Sequence, residues 1–344
     1  MNNTFLKYFT LIIIITFNIN CSNQKDKETE QFLIRGNLAM TKFEYDKAMY
    51  FYNEAIEKTK DYAPAYNNRG LLKVQIGDLD GAITDFEKAL SLEPDFKEAI
   101  YNLGNYLGEK GEFEKGLSYL KQVENTYKDS SFYHTSLGFI HTNQNNFSQA
   151  YADFQRAIML NPNNDKAYSN LGFVQIQEKK YTDAKINFEK ALQQNPKQDM
   201  ALNNLSFIYS REENYPKALE LINKALEQKP VDPLYQNNKG YILLMQNQLE
   251  EGKNLIENAI NQSKNKNPWA YRNLGIYYLK TNNLTKSLEN LQLAESLDPS
   301  VELIYYYLGL AEKANKNTKK ACEYWQKGSK LKDSKSIQML TECN

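Results

Sequence analysis

Between residues 29 and 335 apolar positions recur with helical spacing, and the pattern itself returns every 34 residues. Blocks begin at 29, 63, 97, 131, 165, 199, 233, 268 and 302, giving 29–62, 63–96, 97–130, 131–164, 165–198, 199–232, 233–267, 268–301 and 302–335. The seventh block is one residue longer, around Asn265–Asn267. The fourth, seventh and eleventh places of a block fall on one face of a first helix, as in Leu202, Leu205 and Tyr209. A second stripe joins the twentieth, twenty-fourth and twenty-seventh places, as in Ala82, Phe86 and Ala89. Polar corners such as Ile76-Gly77-Asp78 and Lys110-Gly111-Glu112 separate the two stripes. Each block therefore predicts a helix hairpin.

Small residues mark where the two helices must approach. The eighth place holds Gly36, Gly70, Gly104, Gly138, Gly172, Ser206, Gly240, Gly275 and Gly309. The chain has 15 glycines in all, so eight of nine at one offset cannot be chance. The twentieth place is Ala, Gly or Ser throughout, and the twenty-seventh is Ala except at Val123 and Gly328. Pro94, Pro162, Pro196, Pro230 and Pro299 close five blocks, where a residue without a donor ends the second helix.

The run from Ala65-Tyr-Asn-Asn-Arg-Gly70 through Ala82, Phe86, Ala89 and Pro94 resembles the tetratricopeptide repeat, and the resemblance covers residues 29–335. It implies an all-α fold: a right-handed α-solenoid of nine helix hairpins with a concave groove. Residues 336–344 read as a capping helix, which an open-ended stack needs. The family also implies a function, the binding of other proteins.

The N-terminus does not follow the period. Lys7 is the sole charge in residues 1–20, and the apolar run from Leu11 to Ile19 is too short to span a bilayer, which takes ~20 residues. It suits an export signal over residues 1–20, followed by a polar tether over 21–28. Cys21 directly after the run resembles the acylated cysteine of bacterial lipoproteins, although Asn18 and Asn20 stand where such signals usually carry Leu and a small residue. The expected location is thus the bacterial cell envelope, lipid-anchored and periplasmic or surface-facing, with a cytoplasmic adaptor as the alternative.

Composition narrows the function further. Lys plus Arg equals Asp plus Glu at 42 each, which offers no basic field for nucleic acid. There are two histidines, His134 and His141, seven apart on one predicted helix. They occupy the fourth and eleventh places, where other blocks carry packing residues, so packing is expected over metal binding. No nucleotide-binding, metalloprotease or serine-hydrolase motif occurs. No catalytic residue, cofactor or metal is expected. A frame for an enzyme or carbohydrate-handling complex stays the weaker alternative.

Two columns are candidates for the groove. The family places the second, fifth, sixth, ninth, twelfth and thirteenth positions of the first helix on the concave side. The sixth place reads Asn68, Asn102, Ser136, Asn170, Asn204, Asn238, Asn273 and Tyr307. This ladder resembles the amides that grip peptide backbone in the O-linked N-acetylglucosamine transferase array. The ninth place carries rings in four consecutive blocks, Phe139, Phe173, Phe207 and Tyr241. Such rings suit partner anchors, or else belong to the core. The neighbouring Lys and Arg residues of a carboxylate clamp are missing. An extended, partly apolar protein segment is the expected ligand. Finally, Cys322 and Cys343 lie symmetrically about Leu331–Ser334, which reads as a turn, so an antiparallel hairpin brings them within disulfide reach. That bond needs an oxidising compartment, which agrees with export.

Overall fold

The computed structural model describes residues 24–343. The expected signal segment 1–20, Cys21 and Asn344 lie outside them. The chain divides into two compact units, one ending at Asn170 and the other starting at Leu171. The described residues hold twenty α-helices and no strand, and none of the helices is long and apolar enough to cross a membrane.

In the N-terminal unit the first helices are α1 (Gln24–Thr41), α3 (Ala63–Gln75), α5 (Lys97–Lys110) and α8 (Ser131–Asn143). Their hairpin partners are α2 (Tyr45–Lys58), α4 (Leu79–Leu92), α6 (Phe113–Gln122) with α7 (Glu124–Tyr127), and α9 (Phe147–Leu160). Helix α10 (Asp165–Gln177) contains the boundary between the units. The C-terminal unit continues with α11 (Tyr181–Gln194), then pairs α12 (Asp199–Arg211) with α13 (Tyr215–Gln228) and α14 (Pro233–Met245) with α15 (Leu249–Gln262). Helix α16 (Pro268–Lys280) pairs with α17 (Leu284–Leu297), and α18 (Ile304–Ala314) with α19 (Thr318–Lys330). The cap is α20 (Ser334–Met339) and a 3₁₀ turn, Leu340–Cys343. Helix α1 starts inside the stretch read as a tether, and Glu28 there reaches Lys58 at 3.0 Å.

The eighth-place glycines do more than meet the small residue of the second helix. A Cβ on Gly138 would stand 2.7 Å from the Phe154 ring, and on Gly70 2.6 Å from that of Phe86. The missing side chain makes room for the large residue at the twenty-fourth place, which is fully buried in each case. Ser206 replaces glycine where that residue is the smaller Ile222, and its hydroxyl donates to the Ala218 carbonyl at 2.8 Å. Backbone approach at the twentieth place is real as well, since the Ser287 hydroxyl donates to the Gly275 carbonyl at 2.9 Å.

Each hairpin turns on one left-handed residue at the fifteenth place: Phe43, Gly77, Gly111, Asn145, Lys179, Glu213, Asn247, Asn282 and Lys316. The next amide then bonds back five residues, as from Asp78 to the Lys73 carbonyl at 2.8 Å and from Lys180 to that of Gln175 at 2.8 Å. This closure satisfies a carbonyl that the helix end would leave open. The second helix of the third hairpin breaks at Val123, where the usual Ala is replaced and no proline follows to end the block.

Candidate functional site

Several sixth-place amides bond to amides of the hairpin before. Asn102 Nδ2 donates to Asn67 Oδ1 at 2.8 Å, Asn238 to Asn203 at 2.8 Å and Asn273 to Asn237 at 2.9 Å. In each case the sixth-place amide of one hairpin donates to the fifth-place amide of the hairpin before. Asn67 Nδ2 in turn donates to Asn68 Oδ1 at 3.1 Å, Asn68 Nδ2 to Asn37 Oδ1 at 2.9 Å, and Asn203 Nδ2 to Asn204 Oδ1 at 3.1 Å. Asn102 and Asn273 are buried, while Asn68, Asn170, Asn204 and Asn238 are half-buried. Where the ladder lacks Asn, the Ser136 hydroxyl donates to Asn105 Oδ1 at 2.5 Å. The ladder therefore fastens successive hairpins. Its sequence signal was available in the doublets Asn67-Asn68, Asn203-Asn204 and Asn237-Asn238.

The ninth-place rings Phe139, Phe173, Phe207 and Tyr241 are all half-buried. Phe139 packs beside Ile100, Leu120 and Ile140 in the N-terminal unit. In the C-terminal unit Tyr241 lies against the cluster around Leu274 and Leu308. Each ring is partly open to solvent, and in the C-terminal unit Phe173, Phe207 and Tyr241 stand at the same place of successive hairpins as a partly covered apolar strip.

Two arginines join this strip, and the sequence reading passed over both. Arg211, at the thirteenth place, lies 4.1 Å over the Tyr181 ring and 6.0 Å over that of Phe207. Arg272, at the fifth place, is 6 % exposed and sits between the Trp269 and Tyr241 rings at 4.9 and 5.2 Å. Its Nη2 donates to Asn273 Oδ1 at 2.7 Å and its Nη1 to the Glu302 carbonyl at 2.7 Å. Burial lowers its pKa, because desolvation disfavours the charged form. The same burial raises the Tyr307 hydroxyl well above the ordinary tyrosine value. Also passed over were Met200 and Leu234, exposed at the second place of successive hairpins, with Trp269 following at that place in the next. An apolar residue at a place held elsewhere by Glu30, Glu98 and Lys166 was the available signal.

Away from this face, His134 and His141 both look toward Asp153 on α9. His141 Nδ1 meets Asp153 Oδ2 at 2.7 Å, and His134 Nδ1 stands 3.6 Å from Oδ1, beyond hydrogen-bond range. His134 Nε2 is engaged with the Lys128 carbonyl at 2.9 Å. Cys322 and Cys343 are joined, with their Cα atoms 5.7 Å apart.

Sequence profiles of the tetratricopeptide repeat match residues 63–96, 131–164 and 175–239. Superkiller protein 3 of Schizosaccharomyces pombe is 31 % identical over 121 residues, 33 % of this chain and 9 % of that protein. Photosystem I assembly protein Ycf3 of Acaryochloris marina is 27 % identical over 162 residues, 46 % of this chain and 85 % of that protein. The first of these relatives is thus far longer than the region shared. Among solved structures, the APC/C hetero-tetramer Cut9-Hcn1 gives a TM-score of 0.63 at 15 % identity, over 91 % of this chain and 76 % of that one. Pseudomonas aeruginosa pilF gives 0.50 at 17 % identity, over 62 % and 97 %. At such identities the likeness is one of fold. With the recurrent small residues, the left-handed corners and the paired helices, these matches show that the chain carries repeats of the tetratricopeptide type.

Proposed function

We propose that the chain is a non-catalytic scaffold that takes an extended segment of a partner protein along the inner face of its first helices. Arrays of this family are generally protein-interaction scaffolds. The observation that carries the finer reading is the column of half-buried rings, Phe139, Phe173, Phe207 and Tyr241, each with apolar surface left toward solvent. Rings give contact area at low entropic cost, and fixed rings on helices are ready anchors. The amides contribute less than the sequence suggested, since the bonds between neighbours occupy many of their donors. The reading includes export and acylation at Cys21, supported by the apolar run before it and by a disulfide that suits an oxidising compartment.

The test is the double variant Phe173→Ala/Phe207→Ala. Anchoring rings cost ~2 kcal/mol or more of partner binding when truncated. Fully buried rings would instead cost ~3–5 kcal/mol of stability each. A large fall in melting temperature, with partner binding intact below it, would remove the groove reading. Acylation is tested separately: a fatty-acid probe that labels the wild type and not Cys21→Ala supports the anchor, and an unlabelled wild type ends it.

A further inference from the structure

The C-terminal unit touches itself across its inner face. A stack of hairpins ordinarily makes contact only between neighbours. Here Arg211, the last residue of α12, forms an ion pair with Glu302, just before α18. Glu213, at the corner after α12, meets Lys335 Nζ on α20 at 3.0 Å. Two complete hairpins, α14–α15 and α16–α17, lie between the partners in the chain, so the face carrying Arg211 curves inward far enough to bridge itself.

The backbone is arranged to make this contact. The other helices that open a hairpin in this unit begin at the first place of their block, whereas α18 starts at Ile304, two residues late. Leu303 ahead of it takes a left-handed conformation, φ 63°, which disfavours a side chain. Glu302 is thereby left off the helix. Its carboxylate goes to Arg211 and its carbonyl to the buried Arg272. On the opposite side, the 3₁₀ turn that follows α20 is held to α19 by the Cys322–Cys343 bond, and Glu342 in that turn pairs with Lys313 of α18. Lys335 also lies 5.9 Å over the Tyr306 ring. Around this bridge stand Phe207 and Tyr241, two of the three rings assigned to partner binding in this unit.

We propose that the inner face of the C-terminal unit is a docking surface held shut by the chain itself, with Arg211–Glu302 and Glu213–Lys335 as a latch and the disulfide-bonded cap as its anchor. The inference rests on the groove reading above, since Phe207 and Tyr241, which stand beside the latch, belong to that set of rings. Breaking either ion pair shifts the unit toward an open state, and the partner segment binds the open state. High salt weakens the latch by screening it, and reduction of Cys322–Cys343 weakens it by freeing α20.

The test needs no identified partner. Hydrogen exchange on the full chain would be followed for amides of α20 and of the start of α18, with 1-anilinonaphthalene-8-sulfonate fluorescence as a probe of apolar surface. Arg211→Glu should speed exchange there up to about fivefold, the most that one exposed ion pair contributes, and raise dye fluorescence. The charge-reversed pair Arg211→Glu/Glu302→Arg should restore both. Lys335→Glu, on the exposed cap, should loosen α20 in the same way, which keeps the test open if Arg211→Glu fails to fold. Unchanged exchange in both single variants, or no restoration in the reversed pair, would overturn the latch. If the latch opens and Phe207→Ala in the opened protein leaves dye uptake unchanged, the latch stands and the ring-lined groove falls.

Discussion

Replacing Gly138 with Ala sets two well-known effects against each other. Alanine in a helix interior is favoured over glycine by ~1 kcal/mol. On that ground alone the change stabilises α8. The structure says otherwise. The new Cβ would lie 2.7, 2.9 and 2.9 Å from Cε1, Cδ1 and Cζ of the Phe154 ring. Carbon atoms rest at ~3.5–4.0 Å, so the ring must retreat by roughly 0.8 Å or more. Phe154 is fully buried, and close-packed interiors yield such space at ~1–3 kcal/mol. The expected balance for Gly138→Ala is a loss of up to ~2 kcal/mol. The chain already contains the compensated solution in another hairpin, where Ser206 stands opposite Ile222. A cycle of Gly138→Ala, Phe154→Ile and the double variant, followed by urea unfolding, should therefore show a favourable coupling of ~1 kcal/mol or more. If Gly138→Ala alone matches or exceeds the wild type, the ring has room and the glycine column needs another explanation.

Phe43, exposed at a left-handed corner, should gain ~0.5–1 kcal/mol on change to Gly, and Gly77→Ala at the equivalent corner should lose ~1–2, both read from denaturant midpoints. Reducing the Cys322–Cys343 bond releases a loop of about 20 residues, and ~3 kcal/mol of local stability at the C-terminal end should go with it in exchange measurements. The Asp153 carboxylate raises the pKa of His134 above the ordinary histidine value. The stabilisation it provides is complete below about pH 6.5 and fades as pH rises through the raised value. Burial pushes the Asp153 carboxyl up, but the two imidazoles that face it, His141 in direct hydrogen bond and His134 at 3.6 Å, outweigh that and hold it below the usual carboxylate range. The stabilisation from Asp153 is therefore lost at the acidic end, as pH falls through that lowered value. Melting temperatures of Asp153→Asn across pH 5–8 should lack the wild type's decline toward alkaline pH, and an identical slope in both proteins would sink the assignment.

The hairpin stack was legible because its determinants are local and repeated: a small residue at the eighth and twentieth places is required wherever two backbones cross. The role of each glycine was half legible. Its offset could be read, but its partner at the twenty-fourth place emerges only when Phe86, Phe154 or Trp325 is seen over it. Corners marked by Gly77 and Gly111 were evident, whereas Lys179, Glu213 and Phe43 turn the chain in the same way without any local sign. There the two packed helices impose the conformation on whichever residue stands at the corner. The amides were assigned to a ligand because a column of Asn on one face looks alike whether it bonds outward or sideways. Arg211 meeting Glu302 could not be foreseen, since that depends on curvature accumulated over several hairpins, each adding a small rotation that no single block encodes.

The sideways bonding of the amides bears on how the chain comes apart. Asn37, Asn68, Asn67 and Asn102 form an unbroken relay through three hairpins, as do Asn204, Asn203 and Asn238 between two. If one hairpin peels away, it strands a buried amide on the next, and an unsatisfied buried polar group costs ~1–3 kcal/mol. Fraying from an end is thus penalised at each relay step beyond the loss of apolar contact. At the fifth place of the third and fourth blocks stand Tyr101 and Thr135, and the relay from Asn37 ends at Asn102. Unzipping should therefore proceed in jumps, several hairpins at once where amides link them and one at a time where they do not. A pulling experiment on single molecules would register the relay as steps longer than 34 residues.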